Sequence, residues 1–255
     1  MPKRSLIERA VSKGRRVLAD RLSRHMVPIN TTVPIVSFTF DDAPITAFDT
    51  GGAILKQVGA RATYFVSLGL LETETEVGRI ASAADLQRAV GDGNELGCHT
   101  FDHLDAWHVP SSDYVSSVHR NREALHRIIP GAEFTTFAYP KSGATAWVKS
   151  ALRDTFVCCR AGGQVANVHS TDLKLLKACF LDRRTGIDIE YIRSLVDYNA
   201  AHRGWLIFAT HDITANPSPY GCTPEFLEAV AHYASRSGAL LLPVGEACRR
   251  LQLQP

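Results

Sequence analysis

Ser37-Phe38-Thr39-Phe40-Asp41-Asp42-Ala43-Pro44 is the stretch on which the reading of this chain turns. Val33 to Phe40 is rich in β-branched and aromatic residues and predicts a strand. That strand delivers two consecutive carboxylates, and Pro44, which has no N–H, prevents the ladder from continuing. Neighbouring strand residues point to opposite sides, so Asp41 and Asp42 can serve one site only if the strand ends between them. Side by side the two acids repel, which raises one pKa unless a cation or a donor intervenes. A metal ion on one of them resolves the conflict and leaves the other free as a base. The competing reading is a plain turn in which one acid caps the following helix.

Seven further runs read as strands: Ala62–Ser67, Glu95–His99, Thr135–Tyr139, Phe156–Arg160, Leu175–Leu181, Trp205–Thr210 and Ala239–Val244. Several are apolar throughout, as strands buried on both faces are. Helices are expected between them: from the cap cluster Ser111-Ser112-Asp113 to Ile129, from Thr223-Pro224-Glu225 to Gly238, and over Ala83–Val90 and Asp188–Ala201. Eight strands alternating with helices point to a parallel α/β architecture, closed or nearly closed as a barrel. No internal repeat is visible, and no Pro-, Gly- or Ser-rich linker divides the chain.

Two other strand ends carry chemistry. His99-Thr100-Phe101-Asp102-His103 follows the strand that ends near Cys98. Imidazoles four residues apart fall on one face of a helical turn and can grip a single ion. With Asp42 they make a two-histidine, one-carboxylate set that leaves positions open for water and substrate. Trp205 to Thr210 delivers His211 followed by Asp212, and catalytic groups of barrels collect at that end of their strands. An imidazole there suits a general acid that protonates a leaving amine. The six cysteines show no disulfide framework; Cys98 is noted as a candidate nucleophile because it abuts His99.

Thr39–Asp42 ("TFDD"), His99–His103 ("HTFDH") and Leu206–Asp212 ("LIFATHD") together resemble, in order and spacing, the first, second and last motifs of the polysaccharide deacetylase family, the NodB-homology or carbohydrate esterase family 4 domain. The resemblance covers roughly residues 33–251 and implies a distorted (β/α) barrel of seven to eight parallel strands. It also implies hydrolysis of acetyl groups, usually N-acetyl on glucosamine-containing glycans, with one divalent metal ion: zinc by default, cobalt or nickel as alternatives. Carried over residue by residue, Asp41 is the general base, Asp42, His99 and His103 the metal ligands, and His211 the general acid. Thr100 braces the metal loop. The third motif departs from the pattern: Phe137-Ala138-Tyr139-Pro140-Lys141-Ser142-Gly143 has Ala138 where an Arg orients the base, and Lys141 where an aromatic follows the proline. Tyr139, Pro140 and Lys141 are carried over as the substrate-binding residues, the Lys141 amide facing the oxyanion. The carboxylate that tunes His211 is assigned to Asp182, with Asp188 as runner-up. Two rival functions stay open, a metal amidohydrolase of small amides and a non-catalytic glycan-binding relative.

The formal net charge of +2 is concentrated at the start of the chain. Lys3, Arg4, Arg9, Lys13, Arg15, Arg16, Arg21 and Arg24 face only Glu8 and Asp20, and apolar residues there recur at helical spacing. Residues 1–30 therefore read as a basic amphipathic arm and 31–255 as the catalytic domain. A helix of this kind lies either across the bottom of the domain or on an anionic membrane surface. With no signal-peptide core or membrane span, the expectation is a cytoplasmic enzyme, with peripheral contact at the inner membrane face through residues 1–24 as the alternative to a helix packed on the domain. Its partner is an N-acetylated glycan rather than a nucleic acid, and the composition is silent on oligomeric state.

Overall fold

A computed structural model describes Gly14, residues 17–29 and residues 31–252 of the chain. Eight strands form the main sheet: β1 (Ile35–Asp41), β2 (Ala62–Val66), β3 (Glu95–Cys98), β4 (Thr136–Ala138), β5 (Cys158–Arg160), β6 (Cys179–Phe180), β7 (Trp205–Thr210) and β8 (Leu240–Leu241). Each falls within or overlaps a run expected from the sequence. The order is β6-β7-β1-β2-β3-β4-β5, with β8 beside the first residues of β1, and every pairing is parallel. The ring is completed by an irregular seam rather than a ladder. Leu176, just before β6, bridges to Arg160, its amide donating to the Cys159 carbonyl at 2.8 Å and its carbonyl accepting from Ala161 at 2.8 Å. This is the distorted (β/α) barrel that the motifs implied.

β1 is buried along its whole length, and its two faces do different work. Val36, Phe38 and Phe40 pack outward in the larger core cluster with Leu86, Tyr114 and Leu227 of the surrounding helices. Ile35 joins an inner cluster with Phe65, Trp205 and Ile207. Ser37 accepts from the Trp205 indole at 3.0 Å inside the barrel, so by the period of two Thr39 and Asp41 also face inward. The N-terminal end of the barrel is plugged by helix Val244–Gln252: Val244, Ala247, Cys248 and Leu251 complete the inner cluster. The opening therefore lies at the C-terminal ends of the strands, where Asp41, the 99–103 loop and His211 emerge.

The helices are close to expectation. Ser82 and Asp85 form a reciprocal capping box, and the Thr223 and Asp188 side chains cap their helices. One cap is different. The helix Ser111–Ile128 starts at Ser111 itself, with Pro110 at the cap position and no side-chain cap bond. Part of the N-terminal arm is built into the barrel. Met26–Pro28 pairs antiparallel with Ser170–Asp172, and the fully buried Lys149 ammonium donates to the Ala19 carbonyl at 2.6 Å and to Asp172 at 2.7 Å. Residues 1–13, 15 and 16, which carry most of the arm's charge, lie outside the described residues.

Candidate active site

β1 ends at Asp41, and Asp42 and Ala43 both turn left-handed at φ 61. This is the break that lets both carboxylates reach one place. Left-handed backbone is costly for residues with a Cβ. It recurs around the same opening at Thr100, His103, Lys141 and Ser142.

Asp42 Oδ1 lies 3.6 Å from His99 Nε2 and 3.2 Å from His103 Nε2. One ligand atom from each of these residues falls within 4.8 Å of the other two. The His99 ring is buried and its Nδ1 lies 2.8 Å from the Ala138 carbonyl, so Nδ1 carries the proton and the Nε2 lone pair faces Asp42. Burial holds His99 down to about 4, against the upward pull of Asp41 and Asp42. Asp42 Oδ1 itself is buried without a hydrogen-bond donor. An orphaned carboxylate oxygen facing two imidazole nitrogens is a donor set that fits a divalent cation.

The loop that presents the histidines is not the helical turn expected from their spacing. Residues 99–103 are irregular. Left-handed Thr100 and His103 bring the rings to 5.1 Å, and the loop is pinned from the helix Ser111–Ile128. Ser117 Oγ accepts from the amides of Phe101 and Asp102 and donates to the Asp102 carboxylate, while Arg120 pairs with that carboxylate. Thr100 Oγ1 accepts from the Leu104 amide at 3.0 Å, which braces the loop. Cys98 is no nucleophile. Its thiol is fully buried, receives a hydrogen bond from Asn121, and is pushed by burial up to about 12.

Asp41 is held by a residue that reading the motifs missed. Arg160, at the end of β5, sets Nη2 2.5 Å from Asp41 Oδ1, and its guanidinium lies over the rings of Phe65 and Phe180. Burial pushes the Asp41 carboxyl upward, but Arg160, with His99 and His211 nearby, outweighs it and holds the group below the ordinary carboxyl value. Ala138 on β4 leaves out the expected Arg, and the next strand supplies one. A signal was available: an arginine closing the short run Val157-Cys158-Cys159 sits at a strand end, as Asp41 and His211 do.

His211 Nδ1 lies 3.2 Å from the Tyr220 carbonyl, and its Nε2 lies 3.9 Å from Asp42 Oδ2. Asp212 shapes the loop that brings Tyr220 in: its carboxylate accepts from the Ser218 amide and hydroxyl, and its carbonyl from the Cys222 amide. Gly221 is required there, since a Cβ would stand 2.2 Å from the Asp212 carbonyl oxygen. Asp182 does not touch His211, which corrects the direct tuning role. The buried Asp182 carboxylate is taken by Arg184, at 2.6 and 3.2 Å, and by the Thr185 amide. Arg184 in turn stacks 4.1 Å over the Tyr220 ring, so Asp182 reaches His211 only through Arg184 and Tyr220. Asp188 is spent as a helix cap on the Tyr191 amide.

A cavity of about 850 Å³ joins these groups, lined by Asp41, Asp42, His99, His103, Lys141 and His211 among others. Tyr139 and Pro140 do not line it, which corrects their assignment to substrate. Just past β4, Tyr139 turns into the core, and its hydroxyl donates to the Lys174 carbonyl. In the following turn the Ser142 and Gly143 amides are bound to the Tyr139 and Pro140 carbonyls. The Lys141 amide is outside that pattern, and Lys141 lines the cavity. Trp107 and Tyr220 are aromatic groups of the lining, far in sequence from the third motif.

A barrel with an Asp-His-His set that could hold an ion, an ion-paired carboxylate and a histidine at one mouth defines a class of hydrolase scaffolds. Within it, the family model for polysaccharide deacetylase matches residues 29–156, and the chain belongs to that family. A chitin deacetylase from Colletotrichum lindemuthianum is 34% identical over 116 residues, covering 43% of this chain and 46% of the relative. The chain thus spans less than half the length of that curated relative. Among solved structures, a chitin deacetylase from the same fungus is 22% identical with a TM-score of 0.62, covering 87% of this chain and 89% of the other. A family 4 acetyl xylan esterase from Clostridium thermocellum, in complex with a cobalt ion, is 20% identical with a TM-score of 0.61, covering 87% and 93%. At these identities the structures establish a shared fold.

Proposed function

We propose that this protein is a metal-dependent deacetylase of N-acetylated sugars in an oligo- or polysaccharide. The observation that carries the reading is the convergence, in one cavity, of the Asp42-His99-His103 set with Asp41 and His211. Asp42, His99 and His103 would hold a divalent ion (zinc first, cobalt or nickel as alternatives), which would supply Lewis-acid polarisation of the acetyl carbonyl and a lowered pKa for water.

The chain's own groups do the rest. Asp41 takes a proton from the attacking water, and Arg160 keeps its carboxylate ionised and aimed. The Lys141 amide donates to the oxyanion that forms as the C–O bond is made. His211 is held through Nδ1 by the Tyr220 carbonyl, so Nε2 is free to carry the proton delivered to the sugar nitrogen as the C–N bond breaks. The products are acetate and a free amine.

The test is acetate release from N-acetylglucosamine oligomers, acetylated exopolysaccharide and small N-acetyl amides, using chelated and metal-restored protein. Release from glycans that chelation abolishes, zinc restores and His99→Ala lacks is the expected result. Release from small amides alone would move the assignment to an amidohydrolase of non-glycan substrates.

A further inference from the structure

Beside the cavity mouth the described residues expose several large apolar side chains. In the helical turn 17–21, Ala19 is buried and lines the cavity together with Asp20, which pairs with Lys177 across it at 2.9 Å. The same segment exposes Val17, Leu18 and Leu22, at 41%, 55% and 46%, with the Leu22 amide bonded to the Leu18 carbonyl. Adjoining it is the helix Ala146–Ala151, held to the turn by Lys149 on the Ala19 carbonyl. That helix exposes Trp147 at 78%, the most exposed of the large apolar side chains among the described residues. It follows directly on the 139–145 loop, so Trp147 stands at the rim of the open end of the barrel.

Charge selects the occupant. Arg21 and Arg24 are exposed among these apolar groups, and the sequence immediately before them adds Lys3, Arg4, Arg9, Lys13, Arg15 and Arg16 against one acid, Glu8. Aliphatic side chains with a rim tryptophan and exposed arginines, preceded by a sequence dense in arginine and lysine, match the interface of an anionic bilayer. A sugar chain would call for aromatic platforms without Leu18 and Leu22. A second copy of the chain would bring a second cluster of like charge. Among the described residues no helix is long and apolar enough to cross a membrane.

We infer that this face, residues 17–22 with Arg24 and Trp147, docks on an anionic lipid surface and sets the cavity mouth against it. The docking is independent of the proposed chemistry. Combined with that chemistry, it makes glycans displayed at a membrane the substrates that the cavity meets first.

The test uses the full chain with vesicles of phosphatidylcholine alone and of phosphatidylcholine mixed with phosphatidylglycerol. Co-sedimentation with the anionic vesicles only, weakened by 1 M salt as screening requires, is expected, with a blue shift of tryptophan emission that Trp147→Phe removes. Leu18→Ser/Leu22→Ser and Trp147→Ser should each lower vesicle binding by about tenfold or more, the loss of buried apolar area. Both should keep acetate release from a soluble oligomer, which shows that they fold. Equal binding to neutral vesicles, no binding to either, or wild-type vesicle binding in both variants would overturn the inference. So would a Trp147→Ser protein that binds vesicles normally and shows only a raised KM for soluble glycan, since Trp147 would then be a sugar platform. Loss of acetate release in wild type with vesicle binding intact would break the proposed function and leave the docking standing.

Discussion

Glu95 at the plugged end of the barrel and Asp41 with Asp42 at the open end are carboxylates on parallel strands of one sheet, yet their surroundings are opposite. Glu95 is saturated with neutral donors: Thr63 at 2.7 Å, Thr136 and the Gly245 amide at 2.8 Å each, and Thr135 at 3.4 Å. At the open end Asp42 Oδ1 has no donor, Arg160 leaves Nε and Nη1 unpartnered, and non-glycine residues around them sit left-handed. Each left-handed residue costs roughly 1–3 kcal/mol. A buried polar group left unsatisfied costs a similar amount. The closed end is built for stability, whereas the open end carries strain and unmatched donors and acceptors that an ion and a substrate would satisfy.

Breaking the Asp41–Arg160 pair should give a large effect, and on activity. In Arg160→Met, burial acts on Asp41 without its counter-charge. The carboxyl should rise from its depressed position, so that the base is protonated over a wider acidic range. The acid limb of the kcat/KM profile should move to higher pH, and kcat at neutral pH should fall by about 10- to 100-fold, with Arg160→Lys recovering part of it. An unmoved acid limb would remove Arg160 from the base's environment. The sign for stability is opposite to that of a raised group. With its folded pKa depressed, Asp41 contributes stability above its unfolded pKa and loses it as pH falls through the folded pKa, so wild type should lose this contribution only in acid.

At the other end the effect should be smaller and purely structural. Glu95→Gln replaces one acceptor oxygen by a donor that faces hydroxyls and an amide, at a cost of about 1–3 kcal/mol in denaturant unfolding, with kcat unchanged once folded. A change in kcat without a change in stability would erase the contrast between the two ends.

Much of this was legible because it is local. All eight strands could be read from short runs of β-branched, aromatic and apolar residues, and where such a run ends in Asp, His or Arg, as before Asp41, His99, Arg160 and His211, it also marks the end at which chemistry collects. Asp42, His99 and His103 were legible from their side-chain chemistry, although the loop joining the histidines was not, since Ser117 and Arg120 hold it from a distant helix. The failures are long-range. Arg160 replaces an arginine missing from the neighbouring strand, which only the pairing of β4 with β5 reveals. Tyr139 sat inside a recognisable motif, yet packing turns it into the core. The partner of His211 is a backbone carbonyl, invisible to any reading of side chains, and Asp182 reaches it through two intermediaries.

The most direct measurement is a paired assay of bound metal and acetate release in Asp41→Asn. Asn keeps the size of the side chain and leaves Asp42, His99 and His103 in place. Metal content should match wild type and the variant should fold, with lower stability from the loss of the Asp41–Arg160 pair, while acetate release falls by at least about 100-fold. Release within a few-fold of wild type, or loss of the metal together with activity, would contradict the division of labour between Asp41 and Asp42.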